Sequence, residues 1–512
     1  MVEGIGIKIF ILVLFFIVMV GVGIYSKRKV VSVNDFVLGG RNVGPWLTAF
    51  AYGTSYFSAV LFIGYAGRFG WNFGVSAVWI GLGNAILGSL LAWLVLGKKT
   101  RRMTHFFDSN TMPDFFEKRY SSRSLKIVAA LIIFVFLVPY SASVYTGLGY
   151  LFEKSLGIPF IWCMIGMAAL TATYVVLGGY LATAINDFIQ GIIMLAGVVL
   201  MVVYIVQNPI VGGLAEGIDK LSKFVDKDGV NLGLATPFGN SVVNLIGLII
   251  LTSFGVWGLP QMIHKFYSIK SEKMIFKGAI ISTIFALMIG GIAYFVGSFG
   301  RIYLNNVIPT LGGKDNYDMI MPQILDIALP NALMGIVIIL VLSASMSTLA
   351  ALVMVSSSTL TLDLIKDIFV PKMDKKIQVL TIRILCVIFV IASVIVANMK
   401  GAIVNMMSIS WGTIAGAFLA PFLYGLYWKG VTKAGVWAGF ATGLIVTLLS
   451  AFSAYPDSIV KYVNLNSPPN AGAAAMLLGL IVVPLVSLIT PKLSRDHLTP
   501  IFERMNSKED IF

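Results

Sequence analysis

Apolar residues run in long stretches along this chain, with polar residues gathered in the gaps between them. A helix needs about 20 such residues to cross a bilayer. Thirteen spans are predicted on that basis, at roughly 5–25, 42–67, 73–97, 124–152, 159–178, 182–206, 240–264, 277–300, 332–362, 379–398, 401–428, 432–453 and 470–491. No soluble domain fits between them. The longest connectors, about 207–239 and 301–331, carry Gly, Pro and Asp. The first run lacks a basic leader and a small-residue cleavage site, so it reads as a true first helix rather than a signal peptide.

Composition agrees with an all-α polytopic membrane protein. Of 512 residues, 58% are hydrophobic and 12% charged, against about 25% charged in soluble domains. That excludes a soluble enzyme and a disordered chain. The net charge of +14 does not point to nucleic acid, because Lys and Arg in a membrane protein first report which side each loop faces. The loops after spans 1, 3, 7, 9 and 11, with the C-terminal tail, hold most of the basic residues, among them Lys27, Arg28, Lys29, Lys98, Lys99, Arg101, Arg102, Lys265 and Lys270. Basic residues on the other side are dispersed and often neighboured by acids, as in Asp226-Lys227-Asp228. The expected orientation in the cell membrane is N-terminus outside, C-terminus cytoplasmic. Cys163 and Cys386 lie in apolar runs, and His105, His264 and His497 are scattered. This argues against a disulfide framework or a transition-metal site. No Ser/His or Asp/Asp set at membrane depth suggests an enzyme.

Function in such a chain is sought where membrane helices are interrupted or polar. Span 2 carries Gly53-Thr54-Ser55-Tyr56-Phe57-Ser58 at its middle, which suits either an unwound helix with freed carbonyls or a close helix–helix contact. Span 7 carries Gly255-Val256-Trp257-Gly258-Leu259-Pro260, where proline removes a helical hydrogen bond. The two spans lie five helices apart and so cross in opposite directions. Paired interruptions in antiparallel halves point to an inverted-repeat transporter with its site near the midplane. Span 9 offers the hydroxyls of Ser347 and Thr348, which suit a hard cation such as Na⁺ if they face the carbonyls of span 2. Asp187 is a lone carboxylate within a span, either a cap of span 6 or a cation ligand or gate partner. Arg41, just before span 2, is either a positive-inside anchor or a partner for an acid at a cytoplasmic gate.

Several motifs resemble the sodium:solute symporter family. They are Leu38-Gly39-Gly40-Arg41 with Gly44-Pro45, Leu177-Gly178-Gly179-Tyr180 followed by Asp187, Met346-Ser347-Thr348-Leu349, and Trp411-Gly412 through Pro421 to Trp428-Lys429-Gly430. The resemblance implies a leucine-transporter-like 5+5 inverted repeat of spans 2–6 and 7–11, and cotransport of a small solute with Na⁺. Carried over by position, it implies a sodium site of the Thr54, Phe57 and Ala344 carbonyls with the Ser347 and Thr348 hydroxyls. It implies a solute site near Tyr56, Ser58, Tyr140, Trp257, Pro260 and Trp411, with Arg41 and Asp187 in gating or coupling. The family's proline carriers have an aspartate where this chain has Tyr56, and a tryptophan and a tyrosine where it has Thr252 and Val256. No acid remains in the unwound part of span 2 to hold an amino group, which favours a carboxylate, an osmolyte or another solute needing no counter-anion. A second sodium near Asp187 would lack hydroxyls, because the next turn of span 9 reads Ala350-Ala351; one Na⁺ per solute is therefore expected.

The expected organisation is an extra helix and loop at 1–35, a first repeat at 36–206, an external loop at 207–239, a second repeat at 240–429, and two further helices with a tail at 430–512. The alternatives are a proton-coupled carrier of the same fold and a membrane solute sensor.

Overall fold

Backbone polar groups in hydrocarbon must be satisfied within their own segment, so a chain this apolar resolves into helices. A computed structural model describes residues 2–28, 32–399, 401–460 and 463–506; Lys29 of the first basic loop lies outside them. In chain order the helices begin with α1 (Val2–Lys27), α2 (Val33–Leu38), α3 (Pro45–Tyr56), α4 (Ala66–Phe73), α5 (Val78–Gly83), α6 (Lys98–Phe106) and α7 (Met112–Tyr120). The chain continues with α8 (Arg123–Leu156), α9 (Phe160–Gln207), α10 (Leu214–Ser222), α11 (Val242–Phe254), α12 (Pro260–Ser268), α13 (Lys273–Gly297) and α14 (Gly300–Tyr303). A small hairpin of β1 (Thr310–Leu311) and β2 (Lys314–Asp315) leads to α15 (Ile320–Ala328) and α16 (Asn331–Thr359). The last elements are α17 (Lys375–Ala397), α18 (Ile403–Tyr427), α19 (Lys433–Ala451), α20 (Asp457–Val460), α21 (Pro468–Ile489) and α22 (Arg495–Asn506).

Among the described residues, 10 helices are long and apolar enough to cross a membrane, or 11 counting the bent pair Val242–Trp257 and Pro260–Ser268. Thirteen were expected. The difference falls in two places, Val60–Phe106 with 47 residues and Phe160–Gln207 with 48. At 1.5 Å per residue, 48 residues span about 72 Å, far beyond one bilayer crossing. Each stretch also contains a break. Gly179, with φ 57° and ψ −152°, interrupts the second, and a Cβ there would come within 2.7 Å of the Phe36 carbonyl oxygen. Gly74, with φ 59°, interrupts the first. The thirteen-span count therefore depends on dividing these two stretches.

The helix formed by α16 and its continuation lies at the centre and is almost wholly buried, whereas α1 and α17 at the rim are mostly exposed or half-buried. Spans 2 and 7 run side by side in opposite directions. Val43, just before α3, exchanges backbone hydrogen bonds with Ser268 (3.1 Å), the last residue of α12, and with Lys270 (3.0 Å) just beyond it, while Tyr56 reaches Thr252 at the other end. α9 and α16 are likewise antiparallel: Gly197 lies against Leu340, and Asn208, just past the end of α9, bonds the Ala328 carbonyl shortly before α16 begins.

Candidate functional site

Span 2 stays α-helical through Tyr56 and then breaks. Phe57 is extended, with φ −115° and ψ 124°, and the helix resumes near Val60 through a π-helical turn. The break falls beyond the glycine expected to cause it. Gly53 lies within α3 and serves a close approach, since a Cβ there would meet the Phe285 ring at 2.5 Å. A helix that ends inside the protein leaves its last carbonyls without N–H partners. Span 9 meets them with hydroxyls. Ser347 Oγ donates to the Thr54 carbonyl at 3.0 Å, with the Ala344 carbonyl also at 3.0 Å. Thr348 Oγ1 lies 3.4 Å from the Thr54 carbonyl oxygen, 3.3 Å from that of Ser55 and 3.1 Å from that of Ala344. Ser345 Oγ accepts the Ala59 N–H at 3.0 Å and so holds the restarted half of span 2 against α16. Ser347 and Thr348 are both buried.

Of the expected sodium ligands, the structure brings together Thr54, Ala344, Ser347 and Thr348. It adds the Ser55 carbonyl, and neither hydroxyl bonds that of Phe57. Neutral carbonyl and hydroxyl oxygens converging in a buried spot suit a hard monovalent cation, which exchanges its water for them without a full counter-charge.

Span 7 breaks at the same level. α11 gives way to a 3₁₀ turn at Gly255–Trp257, and Pro260 opens α12 as its first residue, at an angle of 41° to the preceding half. Proline is well placed at a helix start, where its missing N–H costs nothing. Gly258 lets this break lie against span 11, because a Cβ there would sit 2.8 Å from Ala415 Cα and 2.9 Å from the Leu419 nitrogen.

Between the two breaks lies a cavity of about 20 Å³, lined in part by Tyr56, Ser58, Asn84, Thr252, Tyr294 and Trp411. That is room for about one water, so the interior is closed in this arrangement. Tyr56 stacks on Phe57 at 4.5 Å, and Tyr140 packs edge-on against Trp411 at 5.7 Å. The Tyr140 hydroxyl and the Trp411 indole N–H are buried without hydrogen-bond partners. Three expected solute residues stand apart from the lining, Tyr140 among them, packed beside Trp411. Trp257 turns its N–H to the Leu87 carbonyl at 2.9 Å, and Pro260 shapes the break. Asn84 and Tyr294 were not anticipated. Asn84, which accepts from Ser253 at 3.2 Å, is an isolated polar residue in an apolar run, and that was the available signal.

Asp187 lies 1% exposed, well inside the second half of α9, and does not cap it. Its partner is Lys265 at 3.7 Å. The sequence reading placed Lys265 in a cytoplasmic loop; the structure places it in α12, 3% exposed, with its ammonium 5.3 Å from the Tyr180 ring. Pro260 starts a second half-helix, so span 7 continues about a turn further than its apolar run. Arg41 donates to the Ser109 carbonyl at 2.7 Å and lies 3.5 Å from Asp108, tying the approach to span 2 to the loop before α7. Nearby, a cavity of about 1140 Å³ is lined by Asp108, Asp114, Glu117, Lys126, Asp363 and Asp367, among others.

Two broken antiparallel helices meeting near the middle of their spans, with a small cavity between them, define a secondary transporter. The sodium:solute symporter family model matches residues 36–443, and the chain belongs to that family. Sodium/proline symporter 2 of Staphylococcus saprophyticus is 31% identical over 449 residues, covering 86% of this chain and 84% of that protein. The sodium/proline symporter of Staphylococcus aureus is 29% identical over 509 residues, covering 97% and 94%. Among solved structures, a Na⁺-coupled sialic acid symporter in a substrate-bound outward-open state has a TM-score of 0.75 at 16% identity, covering 96% of this chain and 99% of that one. Mhp1, a nucleobase-cation-symport-1 family transporter in a closed conformation, has a TM-score of 0.52 at 14% identity, covering 92% and 98%. The fold is leucine-transporter-like, and the protein is a Na⁺-coupled membrane carrier of a small solute rather than an enzyme.

Proposed function

We propose that this protein takes up a small organic solute by alternating access, with Na⁺ moving inward alongside it. The observation that carries the reading is the meeting of Ser347 and Thr348 with the Thr54 and Ser55 carbonyls. An ion held there ties the broken span 2 to α16, so its arrival and release are coupled to how those helices sit. The solute binds between the breaks of spans 2 and 7, at Tyr56, Ser58, Tyr140 and Trp411, and the cavity must widen to admit it. Residues 36–206 and 240–429 act as the two inverted repeats, with the N-terminus outside and the C-terminus in the cytoplasm.

The solute is an amino acid, a monocarboxylate, an osmolyte or a similar small molecule. No carboxylate lines the cavity, and Trp411, which does line it, leaves its buried indole N–H without an acceptor at normal hydrogen-bond distance. That balance suits a solute that presents acceptors, such as a carboxylate. The relatives named for proline make L-proline the first compound to try. The test is thermal stability of the purified protein across amino acids, monocarboxylates, osmolytes and sugars, in NaCl and in KCl. A compound that raises Tm only with Na⁺ supports the reading. Equal shifts in both salts would remove the coupling from this site.

A further inference from the structure

A positively charged side chain sits where an acidic residue faces the sodium region, and the sodium reading does not use it. Lys265 and Asp187 are 3% and 1% exposed, from different spans, with Nζ 3.7 Å from Oδ2. Neither Asp187 oxygen has a hydrogen-bond partner. The carboxylate is thus balanced by charge across a short gap rather than by a network of donors. An isolated ion at this depth would be very costly, so each charge depends on the other.

The position of the pair is fixed by the helices around it. Gly191, one turn along α9 from Asp187, packs against Thr54, whose Cγ2 would lie 3.1 Å from a Cβ placed there. Asp187 is therefore about one turn from the sodium ligands. The antiparallel contact of α9 and α16 at Gly197 and Leu340 brings 187 level with about 350. The residues there are Ala350 and Ala351, which offer an ion no side-chain oxygen. A Na⁺ at Asp187 would instead have to draw on the carboxylate and the unpartnered Asn186 and Gln190 oxygens of the same turn, and it would compete with Lys265 for that carboxylate.

We propose that the Lys265 ammonium serves as a tethered cation at Asp187, occupying the role of a second ion, so that only one Na⁺ binds this carrier. The inference rests on the main sodium site at Thr54, Ser347 and Thr348. A tethered charge differs from a bound ion in consequence. It balances Asp187 in every state without leaving, so it adds nothing to the driving force drawn from the sodium gradient. Because it rides on α12, beyond the break of span 7, it also links the position of that half-helix to α9.

The test counts radioactive sodium bound at saturation to purified protein, for wild type, Lys265→Met and the charge-neutral double variant Asp187→Asn/Lys265→Met. One ion per chain is expected for wild type and for the double variant. Lys265→Met alone exposes the carboxylate, so its count should rise to two and its Na⁺ activation curve become sigmoidal. Two ions on wild type falling to one on the double variant would overturn the inference, because Asp187 would then hold an ion beside its lysine. A folded Lys265→Met protein that still binds one ion with a hyperbolic curve would overturn it as well. If Lys265→Met fails to fold, the wild-type and double-variant counts decide. Loss of the single wild-type ion in Ser347→Ala/Thr348→Ala would show that it sits at the main site; no bound sodium on wild type would refute the main site, and the inference with it.

Discussion

The Tyr56 hydroxyl donates to the Thr252 carbonyl at 2.6 Å, joining the end of the first half of span 2 to the last turn of α11. Both residues line the small cavity between the breaks. The bond ties the two broken helices together at the point where solute must enter. Tyr56→Phe removes this bond, worth about 1 kcal/mol, and should speed opening or weaken solute binding by roughly fivefold. Tyr56→Asp places an uncompensated carboxylate at membrane depth and should nearly abolish uptake of the native solute. Initial-rate uptake in cells, normalised to protein at the membrane, checks both. Wild-type kinetics in the two variants would reduce Tyr56 to a packing residue.

Removing both hydroxyls of the sodium site should act on the ion first. In Ser347→Ala/Thr348→Ala the cation loses two of its oxygens while the carbonyls of Thr54, Ser55 and Ala344 remain. The apparent Na⁺ constant should rise at least tenfold, equivalent to about 1.4 kcal/mol, with normal delivery to the membrane. Unchanged sodium dependence would remove these residues from the site.

The break of span 7 depends on one close approach. Gly258→Ala drives a methyl against backbone atoms of Ala415 and Leu419 at 2.8 and 2.9 Å, and backbone cannot rotate aside as a side chain can. We expect a loss of about 1–3 kcal/mol, read as a lower Tm, together with slower transport. A Tm within a degree of wild type would show that the break has slack.

Asp318 lies in the loop before α15, where it accepts the Ile403 N–H at 3.0 Å and so holds the start of α18. Burial pushes its carboxyl up to about 6, against which the Ile403 N–H and Arg68 work only in part. The folded state thus binds a proton more readily than the unfolded chain, so stability falls as pH rises from about 4 to about 6 and is level above that. Asp318→Asn keeps an acceptor for Ile403 and should flatten this dependence. Tm of both proteins across that window is the check; identical slopes would show that Asp318 does not contribute.

Much of the architecture was readable because each span announces itself by length and hydrophobicity, and because Pro260 and the Gly255/Gly258 pair mark one break. The serines and threonines of span 2 and span 9 pointed to each other through chemistry alone, and Ser347 does meet Thr54. Other features depended on rotation about a helix axis, which a one-dimensional pattern does not fix. Trp257 turned out to face span 3 rather than the cavity. Asn84 and Tyr294 came into the cavity from runs that otherwise read as lipid-facing or core. Lys265 was misplaced for a different reason. It follows the apolar run of span 7 and looks like a loop residue until the half-helix that begins at Pro260 carries it inward to Asp187.

The central claim is tested most directly by solute flux in proteoliposomes under imposed Na⁺, H⁺ and electrical gradients, with the solute that Na⁺-dependent thermal stabilisation identifies. An inward Na⁺ gradient at equal pH should drive accumulation, and the reversal potential should fit one Na⁺ per solute when the solute carries no net charge. Accumulation that follows the pH gradient and ignores Na⁺ would contradict the account.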